Sequence, residues 1–126
     1  MNRSIFDKTI SVYHNAYDNV GKRQLLSEFL FGGDCREEIT KIRAAEDKVV
    51  RSALKRQLLC ATISGMFEPT RSGKNLKEHS GFICLDIDGQ DNSNIKDWEQ
   101  LKWQLTAIQQ IAYAGLSVSG KGLFLL

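Results

Sequence analysis

Phe82-Ile83-Cys84-Leu85-Asp86-Ile87-Asp88-Gly89 decides how this chain is read. In a strand, successive side chains leave opposite faces, so Ile83, Leu85 and Ile87 share one face while Asp86 and Asp88 share the other. Two carboxylates closing an apolar strand repel each other unless a cation or a proton takes up their charge. A hard divalent ion, Mg2+ or Mn2+, suits them, because it prefers carboxylate oxygen and commonly brings phosphate with it. Asp86 and Asp88 are therefore the candidate metal ligands and catalytic carboxylates. The plainer reading is a strand end whose acids face solvent or cap a turn; Asp91 is near enough to assist the pair and is read first as serving the turn.

Outward from this strand, residues 89–94 are rich in turn formers, and a helix is expected over 95–109. Asn94 would cap it with Asp97 three residues on, and Trp98, Leu101, Leu105 and Ile108 would form its apolar stripe. A strand over 111–116, a turn over 117–122 and an apolar strand from Leu123 follow. Upstream, 4–13 reads as a strand and 22–31 as a short helix stopped by Gly32-Gly33. Residues 35–57 read as one long helix, with Ile39, Ile42, Ala45, Val49 and Ala53 at spacings of three and four. Residues 58–63 read as a strand, and 68–80, which hold the only proline, as a basic loop or short helix. The expected fold is α/β in the α+β sense: a mixed or antiparallel sheet with the helices at 35–57 and 95–109 packed on it, in a single domain over 1–126. The chain stops inside an apolar strand, so a longer parent protein is expected.

The second motif is Ser117-Val118-Ser119-Gly120-Lys121-Gly122. Glycines around a lysine, flanked by hydroxyls, would let backbone N–H groups approach a phosphate while the ammonium offsets its charge. Ser117, Ser119, Gly120, Lys121 and Gly122 are thus the candidate phosphate- or nucleotide-binding residues. From Gly115 the string has the spacing of a P-loop, but Gly122 replaces the Ser or Thr that would hold Mg2+, and a strand-like run follows where a helix is needed. The plain alternative is a hairpin turn with an exposed lysine. A third group, Thr62-Ile63-Ser64-Gly65-Met66-Phe67 with Arg71 and Lys74 beyond it, offers nucleic-acid contacts or merely a strand end and a solvated loop. His79 has no partner in the pattern and is read as structural.

Composition sets bounds on these readings. A net charge of +2 announces no global basic field, yet residues 36–57 hold seven Lys or Arg against four acids, and from Phe82 onward three basic residues face five acids. That asymmetry suits a polyanion bridged by metal, and a solvated helix face accounts for it nearly as well. Three cysteines without metal-like spacing point to a reduced, cytoplasmic setting, with Cys84 packed as a small hydrophobe in its strand. No apolar run is long enough to serve as a signal core or membrane span.

The segments 59–67, Arg71, 79–88 and 112–122 together resemble the VirE N-terminal domain family, over roughly residues 50–126. The same layout is similar to the archaeo-eukaryotic primase (primase-polymerase) superfamily. That resemblance implies a domain of a mobile-element DNA replication protein, with Asp86 and Asp88 holding Mg2+ or Mn2+ and residues 119–122 gripping a nucleoside triphosphate. It further implies a DNA template as partner, a primase- or helicase-type domain downstream, and nucleotidyl transfer through two metals. The phosphate-contacting histidine of that pattern falls on Phe124, and a third metal carboxylate would lie past Leu126. A catalytically degenerate DNA- or nucleotide-binding module is the alternative, and this chain alone is expected to be inactive. More distantly, Leu85-Asp86-Ile87-Asp88-Gly89 resembles the opening motif of haloacid-dehalogenase-type phosphatases, in which the first Asp is the nucleophile.

Overall fold

A computed structural model describes residues 3–126. The first strand, β1 (Thr9–Tyr13), is the most buried element, with Ile10 and Tyr13 fully enclosed. It is flanked by β2 (Lys22–Leu25) and β3 (Cys60–Thr62) in an antiparallel sheet of order β2-β1-β3. Between β2 and β3 run three helices: α1 (Leu26–Phe31), α2 (Arg36–Ala44) and α3 (Lys48–Arg56). A hairpin follows, β4 (Gly65–Phe67) with β5 (Leu76–His79), separated by a 3-10 turn at Gly73–Asn75. The last part comprises β6 (Leu85–Asp88), α4 (Trp98–Leu105), β7 (Ala114–Leu116) and β8 (Gly122–Leu125), its strands forming an antiparallel sheet of order β6-β8-β7. The α+β class with antiparallel sheets and packed helices is as the sequence indicates.

Buried contacts join these units. The buried hydroxyl of Ser11 accepts from the Phe67 N–H (2.8 Å) and ties β1 to β4. Leu126 packs with Ile10, Val12 and Leu26, so the end of the third sheet enters the core of the first. An aromatic chain continues this seam: Phe6 stacks on Phe82 at 5.6 Å, Phe6 and Phe31 meet Tyr113 edge-on, and Tyr113 lies 5.5 Å from Phe124.

Several element expectations are corrected. Residues 22–25 are not helical; they pair with β1 from Thr9↔Leu25 to Val12↔Lys22, an edge position whose backbone bonding overrides the helix propensity of Lys-Arg-Gln-Leu. The long helix at 35–57 is two helices, broken because the Asp47 carboxylate accepts from the N–H groups of Val49 and Val50 and so starts α3 anew. In α4 the cap is Asp97, bonded to the Gln100 N–H, rather than Asn94. The 68–80 segment contributes β5 to a hairpin. The strand at 82–88 is limited to Leu85–Asp88, because Gly81 turns the chain at φ 86° and Phe82 is drawn into the aromatic stack. Cys84 therefore lies outside the strand and is exposed, as are Ile83 and Leu85 (72% and 56%), since β6 is a sheet edge paired only with β8.

Candidate metal and phosphate site

The pairing of β6 with β8 brings the two chief motifs together. Asp86 faces Phe124 and Asp88 faces Gly122, so the carboxylates and the end of the turn 117–122 lie on one face of the sheet. A side chain at 122 would not fit: a Cβ there would come within 2.6 Å of the Ile87 carbonyl oxygen and 3.2 Å of Ser117 Oγ. Gly120 supplies the left-handed residue of the turn, at φ 75°.

The turn is a hairpin connection and differs from the amide cradle expected of it. The Gly120 N–H donates to the Ser117 carbonyl (2.9 Å) and the Lys121 N–H to Ser119 Oγ (3.3 Å), so both amides are engaged internally. The Ser117 and Ser119 hydroxyls, 3.2 Å apart, and the Lys121 side chain remain to meet a ligand. They line a cavity of about 130 Å3 together with Asp86, Asp88, Gly122 and Lys55 of α3.

An adjoining concavity of about 430 Å3 shares Asp88, Ser119, Lys121 and Lys55, and adds Lys48, Arg51 and Trp98. Lys48, Arg51 and Lys55 recur at spacings of three and four on α3 and so form one basic stripe. Four cations thus surround two carboxylates. The ion pairs among the described residues are Arg23–Glu68 (2.6 Å) and Lys102–Glu99 (3.5 Å), so the cations and carboxylates of this concavity do not pair with each other. Asp86 accepts no hydrogen bond from the described residues, and Asp88 uses one oxygen to accept from the Gln90 N–H (2.9 Å).

Two exposed carboxylates with oxygen to spare fit a hard divalent ion that keeps waters and a ligand phosphate in its remaining positions. No group of three or more His, Cys, Asp or Glu is gathered for a metal among the described residues, so a fully protein-made cage is not offered. Nearby, the Cys84 thiol is pushed up from its ordinary value, first by desolvation and then by the negative charge of Asp86.

The other candidates sit elsewhere. Arg71 donates to the carbonyls of Ala16 (2.9 Å) and Asp18 (2.7 Å) and lies 4.2 Å over the Tyr13 ring, a set of contacts that fastens the loop after β1. Lys74 is exposed on the 3-10 turn. Thr62 Oγ1 bonds the Gly65 carbonyl (3.0 Å), and His79 Nδ1 accepts from the Gly81 N–H (2.9 Å), both local structural roles. Phe124 packs against Tyr113 and across Gly115, where a Cβ would meet its ring at 2.6 Å. The α3 stripe is a functional candidate that the motifs alone do not mark, although its spacing lies within the basic segment 36–57.

The family model of the BT4734-like N-terminal domain matches residues 53–126, which run from the second half of α3 to the end of the chain and include Lys55, Asp86, Asp88 and the turn 117–122. No curated protein and no solved structure matches the chain. The match is to this family and not to a VirE or primase-polymerase family, which corrects the resemblance drawn above. With more than half of its 126 residues matched, the chain belongs to the BT4734-like N-terminal domain family.

Proposed function

We propose that this domain binds nucleotide phosphates through a divalent metal, Mg2+ or Mn2+, held by Asp86 and Asp88. The supporting observation is that these carboxylates share a connected concavity with Lys55, Lys121, Arg51 and Lys48, and that the two sets of charges do not neutralise each other. A metal-bound phosphate answers both: the ion takes the carboxylates, and the phosphate oxygens take the ammonium and guanidinium groups. The Ser117 and Ser119 hydroxyls share one hydrogen bond and so leave one neutral donor at the same wall. The phosphates of a nucleoside triphosphate, rather than the whole molecule, suit the small cavity, and the α3 stripe extends the basic surface toward a DNA backbone.

Binding is what these residues support. Two-metal nucleotidyl transfer needs a further carboxylate, which the described residues do not bring to the site. The test is calorimetric titration of Mn2+ with a nucleoside triphosphate into the wild type, Asp86→Asn/Asp88→Asn and Lys55→Gln/Lys121→Gln. Metal-dependent binding that is abolished in the first variant and weakened at least tenfold in the second supports the reading. A folded wild type that binds neither metal nor nucleotide refutes it. Release of inorganic phosphate in the same mixtures would move Asp86 to the nucleophile's role of the phosphatase alternative.

A further inference from the structure

Beside the charged concavity lies an apolar cavity of about 310 Å3 that the phosphate reading does not use. Its walls come from Ile39 of α2, the buried Leu58, Leu59, and the rings of Tyr113 and Phe124. This volume sits at the small end of ligand pockets, too small for a whole nucleotide and sufficient for one planar ring system. Two polar groups at the lining, the Gln24 amide and the Asp34 carboxylate, make no side-chain hydrogen bond to the described residues. Together they offer a donor and acceptors to the edge of such a ring.

The apolar and charged cavities are neighbours by register. Phe124, which lines the first, is the cross-strand partner of Asp86, which lines the second. Paired residues in an antiparallel sheet project from the same face about 5 Å apart. The wall between the cavities is the turn 117–122. Arg43, on the apolar side, donates to the Ser117 and Val118 carbonyls (both 3.2 Å), while Ser117 itself lines the charged side. A ligand with a flat, weakly polar head and an anionic tail matches this arrangement.

We propose that the apolar cavity receives the base of the nucleotide whose phosphates sit at Asp86 and Asp88, an inference that rests on the phosphate reading above. Tyr113 and Phe124 supply aromatic surface for the base, and Gln24 and Asp34 meet its polar edge. The sugar then lies over the turn 117–122 that separates the two cavities.

The experiment compares, in Mn2+, the binding of inorganic tripolyphosphate with that of each of the four common nucleoside triphosphates. At least one nucleoside triphosphate is expected to bind tenfold or more tightly than tripolyphosphate. Ile39→Trp and, separately, Leu59→Trp fill the cavity from two elements and are expected to erase that advantage while leaving tripolyphosphate affinity unchanged. Near-UV circular dichroism confirms that each variant is folded. Equal binding of tripolyphosphate and all four nucleotides by the wild type overturns the base site, needs no variant, and leaves the phosphate reading standing. A nucleotide advantage that survives both substitutions overturns it too, by placing the base elsewhere. Loss of all binding in the wild type overturns the phosphate reading first and the base site with it.

Discussion

Replacing Asp47 with alanine separates two accounts of the segment 36–56 by the sign of the effect. In an uninterrupted helix, position 47 would be an interior site, and Asp→Ala would raise stability by up to about 0.7 kcal/mol on propensity alone. In the structure Asp47 is the N-cap of α3, with extended backbone (ψ 126°) and a carboxylate oxygen accepting from the Val49 N–H at 2.7 Å and the Val50 N–H at 3.2 Å. Alanine then strands two amide donors at an exposed helix start, which costs about 1 kcal/mol. At an unfolding entropy of about 2.1 cal/mol/K per residue, the 126-residue chain should lose about 4 °C in Tm. Asp47→Asn keeps the side-chain acceptor and should stay close to wild type. Thermal and urea unfolding followed at 222 nm supply both numbers. A rise in Tm for Asp47→Ala would refute the cap. Because α3 carries Lys48, Arg51 and Lys55, the same variant should also weaken phosphate binding without touching a ligand-facing side chain.

Other consequences concern single side chains. The hydroxyl of Tyr13 is buried with no hydrogen-bond partner among the described residues, so Tyr13→Phe should stabilise by about 1 kcal/mol in urea unfolding; a loss of stability would show that the hydroxyl is satisfied. Asp18 accepts from the His14 and Val20 N–H groups, which lower its pKa below the ordinary 3.8. Its contribution is therefore complete above the unfolded value and is lost as pH falls through the folded one. The stability gap between wild type and Asp18→Asn should accordingly shrink as pH falls below about 5 and go on shrinking through the lowered folded value, and a gap independent of pH would contradict this. Cys84 should alkylate faster at fixed pH near 8 in Asp86→Asn, and in wild type on adding Mg2+, because each removes the negative charge that helps hold its thiol protonated. Peptide-resolved mass spectrometry distinguishes it from Cys35 and Cys60, and an unchanged rate would place Asp86 electrostatically apart from it.

How much of this was legible follows from how local each signal is. The Asp86/Asp88 alternation and the Gly-Lys-Gly turn are short-range patterns, and both survive as strand and hairpin. Their meeting at one wall is set by the Asp88↔Gly122 register, a non-local pairing that spacing along the chain does not encode. Residues 22–25 depart from the helix their local preference indicates because β1 offers an edge that outweighs it. The break at Asp47 was readable from its capping side chain, but the periodicity on either side masked it. Arg71 illustrates the limit for charged residues: nothing in its neighbourhood shows that its guanidinium faces Tyr13 and two carbonyls rather than solvent.

The central claim is that Asp86 and Asp88 hold a divalent ion against the turn 117–122. Its most direct test is paramagnetic broadening of backbone amide resonances by substoichiometric Mn2+. The account predicts that signals of residues 86–89, 117–122 and Lys55 disappear first, that those of Arg71 and Lys74 persist, and that Asp86→Asn/Asp88→Asn abolishes the selective effect. Broadening centred anywhere else, or unchanged in the double variant, would contradict it.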